Sequence, residues 1–225
     1  MKSNLAPVRI VLGVTGASGA IYAEQILHKL LIANIRTYVV FTSTAAKVIP
    51  LEIQNSLLHF LCTSRAQTRF QENSECLSLC EQWNLNAENL VHLRVFSNDD
   101  LYAPIASGSE GATHMIVAPC SMGALARIAH GISSTLLERT ADVMLKERRP
   151  LVIVPRETPF SSIHLQNMLT LCQANARIVP AMPAFYHLPK NIDELVGFMV
   201  ERILDGLALE QHWGQKNVQW NARNL

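Results

Sequence analysis

Short apolar runs alternate with amphipathic stretches along most of the chain, and glycine or hydroxyl residues mark the changeovers. "VRIVLGV" (8–14) is β-branched and apolar at successive positions, the pattern of a strand buried on both faces of a parallel sheet. The glycine turn "TGASG" follows, and then "AIYAEQILHKLLI", where Ile21, Ile26, Leu27, Leu30 and Leu31 recur at helical spacing. The unit repeats: "TYVVFTS" (37–43) leads to "TAAKVI", "HMIVAPCS" (114–121) to "MGALARIA", and "PLVIVPRE" (150–157) to "SSIHLQNMLTLCQA". A last run, "ARIVPAMPAF", precedes "NIDELVGFMVERILDGL", which opens with Asn191 and Glu194 at capping-box spacing. Strands alternating with helices predict an α/β, three-layer Rossmann-like fold with a mainly parallel sheet of about five or six strands. Residues 54–105 carry polar clusters and weak periodicity; they are expected to cover an edge or to form an oligomer contact.

Composition narrows the function classes. A chain of 225 residues, 49% hydrophobic, has enough apolar content for one sizeable core, so residues 1–225 are read as a single domain, with 210–225 as its tail. Lys and Arg number 19 against 18 Asp and Glu, which leaves no basic excess to hold a polyanion, and nucleic acid is not expected as a partner. No apolar stretch reaches the roughly 18 residues of a membrane span, and "MKSNLAPVRI" lacks the apolar centre of a secretory signal. A soluble, cytoplasmic protein is expected. Cys62, Cys76, Cys80, Cys120 and Cys172 form no C-x-x-C pair, which fits reduced thiols. Cys76 and Cys80 with His92 fall short of the four ligands of structural zinc, and no H-E-x-x-H pair points to a catalytic metal.

In open parallel sheets the ligand crevice lies beyond the carboxyl ends of the strands. That singles out Thr15–Gly19, Thr42–Ser43, Cys120–Ala124 and Arg156–Glu157. The first three loops are small and hydroxyl-rich, so backbone amides and helix N-termini can approach a phosphate. "GVTGASG" departs from G-x-G-x-x-G, and "VVFTSTAA" has no carboxylate where a dinucleotide site holds its ribose. The loop suits a mononucleotide phosphate, or serves helix packing alone.

"LKERRPLVIVPRETPF" (145–160) places charges on both sides of an apolar run. Arg139 and Lys146 are seven residues apart in a helical stretch, which returns them to nearly one face about 10 Å apart along the axis. They either reach an anionic ligand or form a solvated face, with Arg139 paired to Asp142 and Lys146 favouring the helix C-terminus. Arg148 and Arg149 are read as solvated or interfacial. Arg156 and Glu157 follow a strand where the crevice belongs, and desolvation of Glu157 would raise its pKa and suit it to acid–base work. Tyr186 and Arg202 add a phenol and a guanidinium able, with Lys146, to surround a small phosphate.

"GVTGASGAIYA", "APCSMGALARIAHG", "ERTADVMLKERRPLVIVPRETPFSSIHLQNM" and "PAMPAFYHLP" before "DELVGFMVERILDGL" resemble the UbiX-type flavin prenyltransferases, of the flavin-binding cysteine-decarboxylase-like superfamily. The resemblance covers roughly 8–53 and 97–209. It implies a metal-independent enzyme that joins the dimethylallyl group of dimethylallyl phosphate to N5 and C6 of reduced FMN and releases phosphate. Its product would serve a UbiD-type decarboxylase, for example in ubiquinone biosynthesis, and the assembly would be a dodecamer with sites between subunits. Carried onto matching positions, the FMN contacts are Gly16, Ala17, Ser18, Ser43, Ser121, Met122, Gly123, Ala124 and Arg156. The prenyl phosphate falls to Lys146, Tyr186 and Arg202, with Arg139 and Ser107 nearby. Glu157 is the implied acid–base group, Glu52 a second carboxylate, and Trp213 an aromatic wall. Ala124 replaces a hydroxyl residue common in the family. In such a reaction the cations and the phenol stabilise the leaving phosphate, while aromatic surroundings shield the allyl cation. Two other readings remain: a flavin-dependent cysteine decarboxylase, which would need a catalytic His and an Asn-containing motif where "APCSMGALA" stands, and a flavin-binding or storage protein without catalysis.

Overall fold

The computed structural model describes residues 7–64, 70–109 and 111–209. Six strands form one sheet: β1 (Arg9–Val14), β2 (Arg36–Phe41), β3 (Leu93–Phe96), β4 (His114–Cys120), β5 (Leu151–Pro155) and β6 (Arg177–Ile178). Their order is β3-β2-β1-β4-β5-β6, and every pairing is parallel. The order reverses between β1 and β4, and this switch point is where a doubly wound sheet opens a crevice.

Helices cover both faces. One core joins Ile10, Leu12, Val39, Ile116 and Val152 to α1 (Ala20–Ile32) and α9 (Ile192–Asp205). The other joins Val11, Val40, Met115, Val117 and Ile153 to α6 (Met122–Ala129), α7 (Leu136–Lys146) and α8 (Ser162–Gln173). Successive strand residues thus enter opposite cores, as the period-2 pleat requires, and this explains why the central strands read as unbroken apolar runs.

The described part of the segment that sequence left unassigned forms regular elements. After α2 (Ala45–Glu52) it forms α3 (Leu57–Thr63), α4 (Ser74–Glu81), the single turn α5 (Ala87–Leu90) and the edge strand β3. Cys76 and Cys80 are buried one turn apart on α4. Among the described residues no group of three or more His, Cys, Asp and Glu side chains is placed to hold a metal ion.

Glu24, 4% exposed on α1, ties this segment down. Its Oε2 accepts the Leu58 amide at 2.9 Å, at the start of α3, where Ser56 caps the His59 amide. Its Oε1 has no hydrogen-bond partner among the described residues. Burial raises the Glu24 pKa to about 7 from an ordinary 4.5, against the lowering effect of hydrogen bonds from Leu58, Ser56 and Leu57. Between those two values the native chain binds the extra proton, so the contribution of Glu24 to stability is full below pH 4.5 and lost as pH rises through 7. Relative to Glu24→Gln, the wild type should therefore lose on the order of 3 kcal/mol of unfolding free energy across that window. Urea unfolding of both proteins at the two ends checks this; a difference independent of pH would refute it.

Candidate active site

The carboxyl ends of β1 and β4 are joined by one residue. Buried Thr15 donates its hydroxyl to the Pro119 carbonyl and accepts the Ser121 amide, both at 2.8 Å. Beside it Gly16 approaches Thr44 so closely that a Cβ there would sit 2.2 Å from the Thr44 methyl, so the turn needs glycine. Ser121 caps α6, accepting the Ala124 amide at 3.4 Å.

A cleft of about 260 Å³ opens here, lined by Gly16, Ser43, Ser121, Gly123 and Ala124, all predicted flavin contacts. It is also lined by Asn98, Arg127, Thr135 and Glu138, which the sequence reading missed. Thr135 and Glu138 make a reciprocal capping box at the start of α7, a signal legible in "TLLE". Asn98 holds the same helix end, accepting the Leu137 amide at 3.0 Å on its side chain and the Leu136 amide at 2.7 Å on its carbonyl. Arg127 carried no such signal, since "MGALARIA" reads only as an amphipathic helix. Ala17 and Met122 are buried and do not line the cleft.

Glu52, at the end of α2, accepts the amides of Gly19 and Ala20 at 2.8 Å each. It thereby caps α1, whose N-cap Gly19 has φ 114 and supplies no side chain. Partial burial works against its charge, but the Ser18 hydroxyl, those two amides and the Arg156 guanidinium outweigh it and hold the Glu52 carboxyl below its usual range. Arg156 Nε donates to the Ser18 carbonyl at 3.0 Å. Ser18, Glu52 and Arg156 thus form a second cluster on the glycine loop. Glu157 is exposed, with its carboxylate accepting the Thr158 amide at 3.0 Å. Among the described residues nothing buries Glu157, so the expected desolvation is not seen there.

Within a single chain the predicted phosphate ligands do not converge. Helix α7 starts beside Asn98, past the end of β3, and stops before Pro150, whose carbonyl accepts the Met115 amide at the start of β4. Lys146 therefore stands at the amino edge of the sheet, about 12 Å along the helix from Glu138 at the cleft. There it pairs with Glu147 at 2.6 Å. Arg139 bonds the Ala106 carbonyl at 3.2 Å and Asp142 at 2.7 Å, the solvated-face pairing weighed above. Ser107, next to Ala106, shares a hydroxyl contact with Ser109 at 2.9 Å. Arg149 is anchored rather than solvated: it donates to Ala112 at 2.9 Å and to Gly108 at 2.5 Å. Tyr186 and Arg202 do come together on the opposite face of the sheet. The Tyr186 ring meets Phe198 edge-on at 5.8 Å, and the Arg202 guanidinium lies 5.4 Å from the same ring and 3.7 Å from Asp205. Trp213 lies outside the described residues.

A family model described as Flavoprotein matches residues 1–204. The flavin prenyltransferase UbiX of Alkalihalophilus pseudofirmus is 43% identical over 210 residues, covering 92% of this chain and 96% of the relative. The chain belongs to the UbiX flavin prenyltransferase family. Its Pseudomonas aeruginosa member is 41% identical over 94% of this chain and 97% of its own length. Among solved structures, the family member AnUbiX (PadA1), in complex with FMN and dimethylallyl pyrophosphate, superimposes with a TM-score of 0.74 at 35% identity, covering 96% of this chain and all of that one. A dodecameric FMN-dependent UbiX-like decarboxylase from Escherichia coli O157:H7 gives 0.72 at 36% identity, over 90% of this chain and 96% of that one.

Proposed function

We propose that the chain joins the dimethylallyl group of dimethylallyl phosphate to N5 and C6 of reduced FMN, releases phosphate, and supplies a UbiD-type decarboxylase in the cytoplasm. The observation that carries this reading is the presence of two separate anion-binding constellations. One is the glycine- and hydroxyl-lined cleft; the other is the aromatic–cation cluster of Tyr186, Phe198 and Arg202, to which Lys146 of another subunit would be added. A protein that merely stored a flavin would need only the first.

The cleft fits a flavin mononucleotide. The missing Cβ of Gly16 lets backbone approach, the start of α6 points amides at the ligand, and hydroxyls surround it. When bound and reduced, FMN supplies the electron-rich ring that accepts the allyl carbon. Lys146, Arg202 and the Tyr186 phenol stabilise the charge of the departing phosphate, a role often taken by magnesium. Glu157, as the carboxylic acid, would protonate the departing phosphate and then, as the carboxylate so formed, accept the ring proton. Since these groups are spread over three regions of one chain, the complete site forms between subunits. The dodecameric neighbour supports such an assembly, and burial of Glu157 then comes from a neighbouring copy and the cofactor.

Anaerobic incubation of the purified protein with reduced FMN and dimethylallyl monophosphate should yield a flavin heavier by one dimethylallyl group, with free phosphate. The pyrophosphate should be run in parallel, because it is the donor bound in the AnUbiX structure. Preference for it would overturn the monophosphate assignment. FMN binding with no adduct from either donor would leave the storage reading.

A further inference from the structure

Arg127 is a charged group in the cleft that no part of the proposed chemistry has used. It lies on the second turn of α6, and its Nε donates to Glu138 Oε1. Glu138 is 3% exposed, whereas the Arg127 side chain is 46% exposed. The carboxylate is itself fixed, since its Oε2 accepts the Ser134 amide at 3.0 Å and the Thr135 amide at 3.2 Å. Arg127 is thus held from behind by a rigid, buried partner. A guanidinium offers five N–H groups and Nε carries one of them, so four remain on the two Nη atoms. Among the described residues these meet no protein acceptor, and Nη1 lies 3.5 Å from where a Cβ on Gly123 would stand, at the mouth of the cleft.

Charge decides what the cleft can hold. Of the described residues lining it, Arg127 is the one cation and Glu138 the one anion. Without Arg127, a phosphate dianion among Gly16, Ser43 and Thr44 would face the Glu138 carboxylate with no compensating charge. Arg156 does not line this cleft; it lies at the Ser18 carbonyl, on the other side of the glycine loop.

We infer that Arg127, braced by Glu138, is a phosphate-binding residue of the flavin cleft and sets its preference for the phosphorylated flavin over the free one. The inference rests on the reading of this cleft as the FMN site. A planar, donor-rich group suits a phosphomonoester, which presents several oxygens to paired N–H donors.

Titrating oxidised FMN and riboflavin against the purified protein, followed by flavin fluorescence, tests this without turnover. Wild type should bind FMN more tightly than riboflavin. Arg127→Met should weaken FMN by about tenfold or more while leaving riboflavin unchanged. Added salt should weaken FMN less in the variant than in the wild type. If Arg127→Met fails to fold because Glu138 loses its partner, the double variant Arg127→Met/Glu138→Gln, which buries no lone charge, carries the same expectation. Equal loss of both ligands, or no loss of FMN, would overturn the role of Arg127 while leaving the flavin site intact. Failure of the wild type to bind FMN would instead overturn the flavin reading, and this inference with it.

Discussion

Glu157→Gln is expected to keep FMN affinity within about twofold and to lower turnover by about 10²- to 10⁴-fold, the usual range for loss of a positioned acid–base group. The structure favours this substitution as a clean probe. Glu157 follows β5, and the backbone just before it is fixed by the Arg156 amide bonding the Cys120 carbonyl at 3.2 Å. Among the described residues the carboxylate has one hydrogen bond, accepted from the Thr158 amide, and a Gln side-chain oxygen can accept that bond equally well. Charge and proton transfer are therefore removed with little change in shape. Single-turnover measurement of the flavin adduct, alongside an FMN titration, reads the two effects separately. Unchanged turnover would eliminate Glu157 as the proton-transfer group; parallel loss of FMN binding would make it a cofactor-binding residue instead.

The second large effect concerns assembly. Lys146 closes α7, which packs in the core on one face of the sheet, whereas Arg202 lies on α9, which packs in the core on the other. With the two groups on opposite faces of one sheet, the proposed phosphate site would draw them from different subunits. Lys146→Ala and Arg202→Ala should each cut turnover by about 10²-fold or more, as expected when a group facing developing charge is removed. Co-expression of the two variants should restore about a quarter of wild-type activity, because a randomly mixed assembly contains some sites that receive both intact groups. With a different affinity tag on each variant, mixed assemblies can be purified and assayed directly. Should the two groups act from the same subunit, every site would lack one of them and the mixed assemblies would stay inactive.

Much of the fold was legible because buried parallel strands are apolar without interruption and the glycine turn after β1 is unmistakable. The failures have local causes. Strand β3 is only four residues, "LRVF", with Leu93 and Val95 buried and Arg94 exposed, too short a period-2 pattern to separate from a loop. The run "ARIVPAMPAF" yields only two strand residues, since Pro180 and Pro183 lack amide donors, although the Ala181 amide still reaches the Pro155 carbonyl. Asn191 caps α9 as predicted, accepting the Glu194 amide at 2.9 Å, but Glu194 bonds back to the Lys190 amide rather than to Asn191. A four-residue spacing identifies a helix start, while the donor chosen depends on the turn before it.

The same division holds for the site. Loops that follow strands are readable in one dimension, because the alternation of strand and helix dictates which connections reach the carboxyl edge; Gly16, Ser43 and Ser121 were found in this way. Arg127 and Glu138 come from different helices and meet only through packing, so no spacing announces them. Lys146, Arg139, Tyr186 and Arg202 were readable as candidate ligands, yet one chain does not gather them. Sequence periodicity says which face of its own element a residue occupies. Where that face points, and which other face it meets, depends on helix direction and on which side of the sheet each helix packs.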